Sequence, residues 1–99
     1  MEVTEKKAPF AADKANELAR AVPQWTLKEN RLEREFTFAD FRAAIDFVNR
    51  IAAAAEEMDH HPDISIHYNK VHLALSTHKA GGLTDEDFAL AKRIDKLAA

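Results

Sequence analysis

The chain has no cysteine among its 99 residues. This absence excludes disulfide bonds, thiolate metal sites, iron–sulfur clusters and cysteine nucleophiles. Positive charge is not in excess either, because fourteen lysines and arginines stand against seventeen aspartates and glutamates, for a net charge of −3. A protein whose main task is to bind phosphate backbones needs a basic face, so the charge balance argues against a nucleic-acid partner.

Long apolar segments are also missing. The longest unbroken apolar run covers residues 51–55, far short of the roughly 20 residues that a membrane-spanning helix needs. Segment 1–7 (Met-Glu-Val-Thr-Glu-Lys-Lys) lacks the apolar core of a signal peptide. We therefore expect a soluble, cytoplasmic protein that makes no contact with a membrane.

The composition that remains is ordinary for a globular protein. Hydrophobic residues make up 46% of the chain and charged residues 31%, which is too apolar for a disordered chain. A length of 99 residues lies well below the size at which hydrophobic cores divide. We expect one domain over residues 1–99.

Histidine is the residue type with an unusual distribution. All five histidines lie between residues 60 and 78, and they are His60, His61, His67, His72 and His78. Histidine titrates near neutral pH, so such a cluster favours either proton transfer or metal binding.

Hydrophobic periodicity predicts seven elements in the order helix, hairpin, helix, hairpin, helix. The first helix lies between Pro9 and Pro23, and the second ends before Pro62, because proline disfavours the helical conformation of the residue before it. The predicted buried face of the second helix comprises Phe41, Ala44, Ile45, Val48, Ile51, Ala52 and Ala55.

Two capping boxes are predicted to open helices. Thr37 with Asp40 precedes the second helix, and Thr84 with Asp87 precedes the third. In this interpretation Asp87 is most simply a helix cap.

The second hairpin has a well-patterned sequence. A two-residue turn at Asn69-Lys70 pairs Tyr68 with Val71 and places every apolar residue of both strands on one face. The same register puts His61 opposite His78 at the open end of the hairpin. It also puts His67 opposite His72 on the polar face, where we expect a solvent-facing pair or part of a subunit contact.

These elements predict an α+β two-layer sandwich, in which helices cover the apolar face of an antiparallel sheet. The chain offers no linker and no glycine-rich nucleotide motif.

The segment 56–62, Glu-Glu-Met-Asp-His-His-Pro, resembles the signature of pterin-4a-carbinolamine dehydratases. Tyr68, His78 and Asp87 follow at the spacings of that family. Three further motifs agree, and they are Tyr68-Asn69-Lys70-Val71-His72, Ser76-Thr77-His78 and Gly81-Gly82-Leu83-Thr84. The similarity covers roughly residues 11 to 98, and it implies a four-stranded antiparallel sheet with three helices on one face.

The resemblance implies a dehydration reaction. The family removes water from 4a-hydroxytetrahydropterin to give quinonoid dihydropterin, which recycles the tetrahydropterin cofactor of aromatic amino acid hydroxylases. The reaction needs one proton donor and one proton acceptor, and it requires neither a metal nor an organic cofactor. The resemblance also implies a homo-oligomer, a dimer or a tetramer, and a functional link to an aromatic amino acid hydroxylase.

The family's three active-site histidines match His60, His61 and His78. We expect His60 and His78 to carry the acid–base work, with His61 mainly holding the substrate. The same resemblance places the pterin against residues 59–61 and 76–79, which are Asp59, His60, His61, Ser76, Thr77, His78 and Lys79. Ile64 stands where relatives often have an aromatic residue, and Lys79-Ala80 varies from some members, which bears on substrate preference.

Two other functions remain open at this point. The histidines His60, His61 and His78 could hold a zinc ion with an open position, although adjacent histidines before a proline tend to point apart. The scaffold could also serve as a non-catalytic interaction protein, since animal members of the family act as dimerisation partners of a homeodomain transcription factor. Asp59 fits either a solvated helix end or a carboxylate that orients a histidine.

Overall fold

The computed structural model describes residues 9–98. The prediction that segment 1–7 is not a signal peptide falls outside the described residues. Seven elements follow one another in the predicted order: α1 (Ala12–Ala19), β1 (Thr26–Lys28), β2 (Arg31–Thr37), α2 (Phe41–Met58), β3 (Asp63–His67), β4 (Lys70–Leu75) and α3 (Asp85–Ala98).

The strands form one antiparallel sheet in the order β1-β2-β4-β3. One face of this sheet shares a single buried cluster with residues of all three helices. The sheet contributes Leu32, Phe36, Val71, Leu73 and Leu75 to that cluster. The predicted α+β sandwich, with the order α-β-β-α-β-β-α, is confirmed.

A polar group joins α3 to the first hairpin. Trp25 is buried, and its Nε1–H donates to Asp95 Oδ1 over 2.8 Å. The same carboxylate oxygen accepts a hydrogen bond from the Arg34 guanidinium at 2.6 Å, and that guanidinium lies 4.1 Å from the centroid of the Phe36 ring. Trp25 is therefore a core residue.

The buried face of α2 agrees with the predicted one only in part, because Ala44, Ile51 and Ala55 are buried as predicted and the other four residues are not. Its buried residues are Ala44, Phe47, Ile51, Ala54 and Ala55. Of the predicted face, Phe41 is 51% exposed, Ala52 is exposed, and Ile45 and Val48 are only half-buried.

Phe47 explains the orientation of α2. Its ring centroid lies 4.8 Å from that of Phe36 and 4.9 Å from that of Phe38, in tilted arrangements. Aromatic rings bury a large area and favour such geometries, so the aromatic contacts turn Phe47 inward. As a result, an apolar stripe lies on one flank of the helix, beside the buried face. It consists of Phe41, Ile45, Val48 and Ala52.

The start of α2 also differs from the prediction. Thr37 is the last residue of β2, and Asp40 itself is the N-cap, because Asp40 Oδ1 accepts a hydrogen bond from the Ala43 N–H at 2.9 Å. The capping box predicted with Thr37 is therefore wrong. The box at the third helix is confirmed, since the Thr84 N–H donates to Asp87 Oδ2 at 2.9 Å.

The second hairpin turns one residue earlier than predicted. The observed pairs include Ile64 with Leu73, Ile66 with Val71 and His67 with Lys70, so the turn is Tyr68-Asn69, with Tyr68 at φ 55°. The predicted register was therefore displaced by two residues. A shift of two keeps each side chain on its face, so the apolar pattern could not detect it.

Asn69 determines the observed register. The Phe38 N–H donates to the Asn69 carbonyl oxygen at 2.8 Å, and Asn69 Nδ2 donates to the Phe38 carbonyl oxygen at 2.8 Å. These bonds continue the pairing of β2 with β4 into the turn, a contact between residues distant in sequence.

Two histidine pairings predicted from the displaced register are wrong. His67 lies opposite Lys70, and His72 lies opposite Ser65 on one side and Glu35 on the other. His72 Nε2 lies 3.3 Å from Glu33 Oε1. The observed ladder ends at the pair of Asp63 and Ala74, so no strand pairing joins His61 to His78.

Between residues 9 and 98, none of the helices has both the length and the apolar character that crossing a membrane requires.

Candidate active site

A cleft of about 400 Å³ opens where the C-terminal end of α2, the segment after β4 and the first turn of α3 come together. Its lining residues are Asp59, His60, His61, Ser76, Thr77, His78, Lys79 and Glu86. Every residue that the sequence predicted for catalysis or substrate binding therefore lies on this cleft. The catalytic and substrate-binding roles of these residues remain predictions. Glu86 also lines the cleft, although the sequence did not predict it.

The end of α2 aims its two histidines in different directions. Asp59 adopts the left-handed conformation, with φ 51° and ψ 43°. The His60 N–H donates to the Ala55 carbonyl oxygen at 3.0 Å, and the Asp59 N–H donates to the Glu56 carbonyl oxygen at 3.3 Å, which is the Schellman pattern. After this reversal the His60 side chain is buried and the His61 side chain is exposed.

The third histidine is carried by a short closed loop. Thr77 and Gly82 form an isolated antiparallel bridge, in which the Thr77 N–H donates to the Gly82 carbonyl oxygen at 2.9 Å. Gly81 has φ 77°, a conformation that glycine adopts without a Cβ penalty. His78 and Lys79 are exposed at the tip of this loop, facing the cleft that His60 and His61 also line.

A buried carboxylate holds His60. His60 Nε2 lies 2.6 Å from Asp87 Oδ1, and Asp87 is fully buried. The other carboxylate oxygen of Asp87 accepts from the Thr77 hydroxyl at 2.8 Å and from the Thr84 N–H at 2.9 Å. Asp87 therefore caps α3 and orients a histidine at the same time, as carboxylates do for metal-bound and catalytic imidazoles.

The hydrogen-bond network assigns the tautomer of His60. Two donors already point at Asp87 Oδ2, so the ionised carboxylate acts as an acceptor throughout, and it accepts the proton of His60 Nε2 at Oδ1. In the neutral ring His60 Nδ1 then keeps a free lone pair. That atom lies 3.8 Å from Oε1 of Glu86, a residue of the cleft, so the ring presents a proton acceptor on its cleft side.

The hydroxyl of Thr77 completes this buried group. It donates to Asp87, so it accepts the hydrogen of the Thr84 hydroxyl, whose oxygen lies 2.7 Å away. Thr77 and Thr84 are both buried. The network fixes the loop of His78 to the start of α3, and so to the carboxylate that holds His60.

His61 has a carboxylate of its own in a more open setting. Its Nε2 lies 2.6 Å from Glu56 Oε2, and the side chains of the two residues are 56% and 77% exposed. Water surrounds both side chains, so this contact contributes little to stability. His60 is thus buried and held by a buried carboxylate, whereas His61 and its carboxylate lie at the surface.

Sequence reasoning missed three features of this site. It treated Asp87 as a cap only, it gave Glu56 no part in orienting His61, and it did not include Glu86. The family-like spacing of Glu56 and Asp87 was the available signal. Glu86 had none beyond its position next to Asp87.

The zinc alternative has no support in this geometry. Across residues 9–98, no three histidine, aspartate or glutamate side chains come together in an arrangement that could hold a metal ion. His60 and His61 instead engage two separate carboxylates.

A protein-family model described as pterin 4 alpha carbinolamine dehydratase matches residues 8–97 of the chain. A protein of Chloroflexus aurantiacus with the provisional name pterin-4-alpha-carbinolamine dehydratase is 54% identical over 86 residues, which cover 87% of this chain and 91% of the relative. A protein of Thermomicrobium roseum with the same provisional name is 50% identical over 82 residues, which cover 83% of this chain and 88% of the relative.

Solved structures agree with the sequence matches. The crystal structure of a transcriptional coactivator/pterin dehydratase from Brucella melitensis superposes with a TM-score of 0.87 at 32% identity, over 92% of this chain and 99% of that one. A pterin dehydratase-like protein described as a RuBisCO assembly factor of the alpha-carboxysome gives a TM-score of 0.63 at 28% identity, over 76% of this chain and 87% of the other.

The sheet, the helices and a cleft in which two histidines contact carboxylates thus define a small α+β protein with a candidate active site. The chain belongs to the pterin-4a-carbinolamine dehydratase family, whose name describes a hydro-lyase.

Proposed function

We propose that the protein eliminates water from 4a-hydroxytetrahydropterin to give quinonoid dihydropterin by histidine acid–base catalysis. The observation that carries the proposal is the buried hydrogen bond of 2.6 Å between His60 and Asp87 at the edge of a cleft lined by His61 and His78. A ring held in one tautomer, with its other nitrogen toward the cleft, meets the first requirement of general base catalysis.

In the proposed reaction the carbon–oxygen bond at position 4a breaks, and the hydroxyl leaves as water after it accepts a proton. The adjacent ring nitrogen loses its proton, and the electron pair of that N–H bond completes the carbon–nitrogen double bond. His60 Nδ1 takes this proton. The imidazolium that results lies between Asp87 at 2.6 Å and Glu86 at 3.8 Å, and both negative charges stabilise it.

His78 is the proposed proton donor to the leaving hydroxyl, and its exposed position lets it exchange protons with water between turnovers. His61, oriented by Glu56, holds the substrate together with Asp59, Ser76, Thr77 and Lys79. The product is ready for reduction, which links the reaction to a tetrahydropterin-dependent aromatic amino acid hydroxylase.

Stopped-flow absorbance of 4a-hydroxytetrahydropterin breakdown, recorded with a chelator present, tests this function. We expect acceleration by the native protein and a loss of roughly a hundredfold or more in His60→Ala and in His78→Ala, the range that one acid or base group supplies. His72→Ala is the matched control, because His72 lies on the sheet away from the cleft. Equal rates with and without the folded protein would refute the proposal.

We also propose that the protein forms a homo-oligomer through the exposed flank of α2. The stripe Phe41, Ile45, Val48 and Ala52 is apolar, and Phe41 is 51% exposed. Exposed apolar patches of this kind mark contact surfaces, and a second copy of the chain supplies an identical, complementary stripe across a twofold axis.

A purely binding role on the same scaffold is the second candidate. Of the two similar proteins of known structure, one is described as a transcriptional coactivator/pterin dehydratase and the other as a RuBisCO assembly factor. The cleft of this chain retains all three histidines and the buried carboxylate, and this retention favours catalysis. A folded protein without dehydratase activity in the stopped-flow experiment would favour the binding role.

A further inference from the structure

Two consecutive residues in the first turn of α3 face the two nitrogens of the His60 ring. Asp87 Oδ1 lies 2.6 Å from Nε2, and Glu86 Oε1 lies 3.8 Å from Nδ1. The two carboxylates differ in their access to water, because Asp87 is fully buried and the Glu86 side chain is 42% exposed. One nitrogen of the ring thus faces a carboxylate inside the protein, and the other faces a carboxylate at the surface.

The proposed reaction leaves a proton on His60 Nδ1, and this proton must depart before the next turnover. The ring itself has little contact with water, since the His60 side chain is 10% exposed. Asp87 cannot carry the proton to solvent, because its oxygens accept hydrogen bonds from His60, Thr77 and Thr84 inside the protein. Glu86 is the carboxylate that lies beside Nδ1 and also reaches solvent.

The distance from His60 Nδ1 to Glu86 Oε1 suits transfer through water. At 3.8 Å it exceeds the length of a direct hydrogen bond. A single water molecule within hydrogen-bond distance of both atoms spans such a separation, and general acids and bases transfer protons through one bridging water. The Glu86 backbone is held in place, since its N–H donates to Thr84 Oγ1 at 3.3 Å.

We propose that Glu86 is a proton-relay residue that connects the buried base His60 with solvent. The inference rests on the proposed function, in which His60 Nδ1 takes the proton of the substrate ring nitrogen. The imidazolium then passes a proton through water to the Glu86 carboxylate. A carboxylic acid is a much stronger acid than an imidazolium, so Glu86 releases the proton to solvent. His78 takes one proton from solvent in exchange, which returns the site to its initial state.

Turnover in dilute buffer tests the relay. The kcat is measured by stopped-flow absorbance near neutral pH, where hydroxide is scarce, at increasing concentrations of imidazole buffer and after subtraction of the rate without protein. We expect the native kcat to be independent of the buffer concentration. In Glu86→Gln, whose amide is not a base, kcat should be severalfold lower in dilute buffer and should rise as the buffer concentration rises. Loss of the negative charge alone would lower kcat by the same factor at every buffer concentration.

Glu86→His separates a relay from electrostatic stabilisation, because histidine restores a titratable group without a negative charge. Its kcat should again be independent of the buffer concentration. Glu57→Gln is the matched control, since Glu57 is an exposed glutamate that pairs with Arg93 and does not line the cleft. It should behave as the native protein does. A kcat of Glu86→Gln that does not change with the buffer concentration would overturn the inference.

Proton exchange in the resting protein tests the relay without turnover. Exchange of the His60 Nδ1 proton with water, measured by NMR at a pH where the ring is protonated, should be slower in Glu86→Gln than in the native protein and in Glu57→Gln. Slower exchange in that variant, in a protein that does not accelerate 4a-hydroxytetrahydropterin breakdown, would support the relay and refute the dehydratase proposal. Acceleration by the native protein together with equal exchange in all three proteins would support the dehydratase proposal and refute the relay.

Discussion

The two oxygens of Asp87 serve different partners. Oδ2 accepts from Thr77 and from the backbone of Thr84, and Oδ1 accepts from His60. The start of α3 and the orientation of the His60 ring are therefore coupled through one side chain. This coupling allows an experiment that separates stability from chemistry.

Asp87→Asn should preserve the fold and reduce kcat. The amide oxygen can replace Oδ2 as acceptor, which leaves the NH₂ group facing His60 and forces Nε2 to accept instead of donate. His60 Nδ1 then carries the proton and can no longer act as a base, so we expect a loss in kcat on the order of a hundredfold. The measurement combines stopped-flow kinetics with ¹⁵N NMR of the His60 ring, which reports the tautomer directly.

Asp40→Asn is the control for this experiment, because the Asp40 carboxylate also accepts a backbone N–H at the start of a helix and contacts no histidine. Asparagine caps helices about as well as aspartate, so its kcat should equal that of the native protein. An Asp87→Asn variant with native kcat, or one that loses kcat while the His60 tautomer stays the same, would contradict the assignment.

At the scale of single elements, the end of α2 determines where the site lies. Asp59 occupies the left-handed position of a Schellman motif, a position where a residue with a Cβ costs free energy and glycine does not. The turn it makes separates the buried His60 from the exposed His61.

Asp59→Gly should raise the free energy of unfolding by up to about 1 kcal/mol, and Asp59→Ala should lower it, because alanine tolerates the left-handed conformation less well than aspartate. For a domain of this size 1 kcal/mol corresponds to roughly 4–8 °C in Tm. Chemical denaturation of the two variants gives both values. A decrease in both variants would show that the Asp59 carboxylate itself stabilises the fold.

Local signals in the sequence were sufficient to locate the elements. Prolines bounded the first two helices, and the Thr84–Asp87 box marked the start of the third. The errors arose where contacts between residues distant in sequence determine the strand register or the orientation of a helix. Asn69 takes its register from Phe38, and Phe47 takes its orientation from Phe36, and no local pattern contains either contact.

The same distinction applies to the site. Motif spacing brought the cleft residues together correctly, although the strand pairing first invoked for His61 and His78 does not exist. The bond between His60 and Asp87 spans 27 positions in the chain. Only the packing of α3 beside the end of α2 reveals it.

At the scale of the whole molecule, the helices bury one face of the sheet but leave an apolar flank of α2 partly exposed to solvent. The exposed stripe begins at Phe41, near the start of the helix. An isolated chain of this shape exposes apolar area that self-association would remove from water.

Phe41→Glu should shift the protein toward the 11.1 kDa protomer in sedimentation velocity, because a charge within an apolar contact is costly to desolvate. Ala53→Glu is the matched control, since Ala53 is exposed on the same helix away from the stripe. The same oligomeric mass in the native protein and in Phe41→Glu would place the contact elsewhere or exclude it.

Asp87 both caps α3 and orients His60, and this combination has an evolutionary consequence. Replacement of Asp87 by a residue without an acceptor oxygen removes a helix cap and a buried hydrogen-bond network together, so selection for folding alone keeps an acceptor at this position and the threonines around it. His78 stands at the exposed tip of a loop, where replacement costs the scaffold little. A descendant that gave up the proposed reaction and kept the scaffold for binding would therefore lose His78 early and the acceptor at position 87 last, and the order of these losses among relatives would date the change of role.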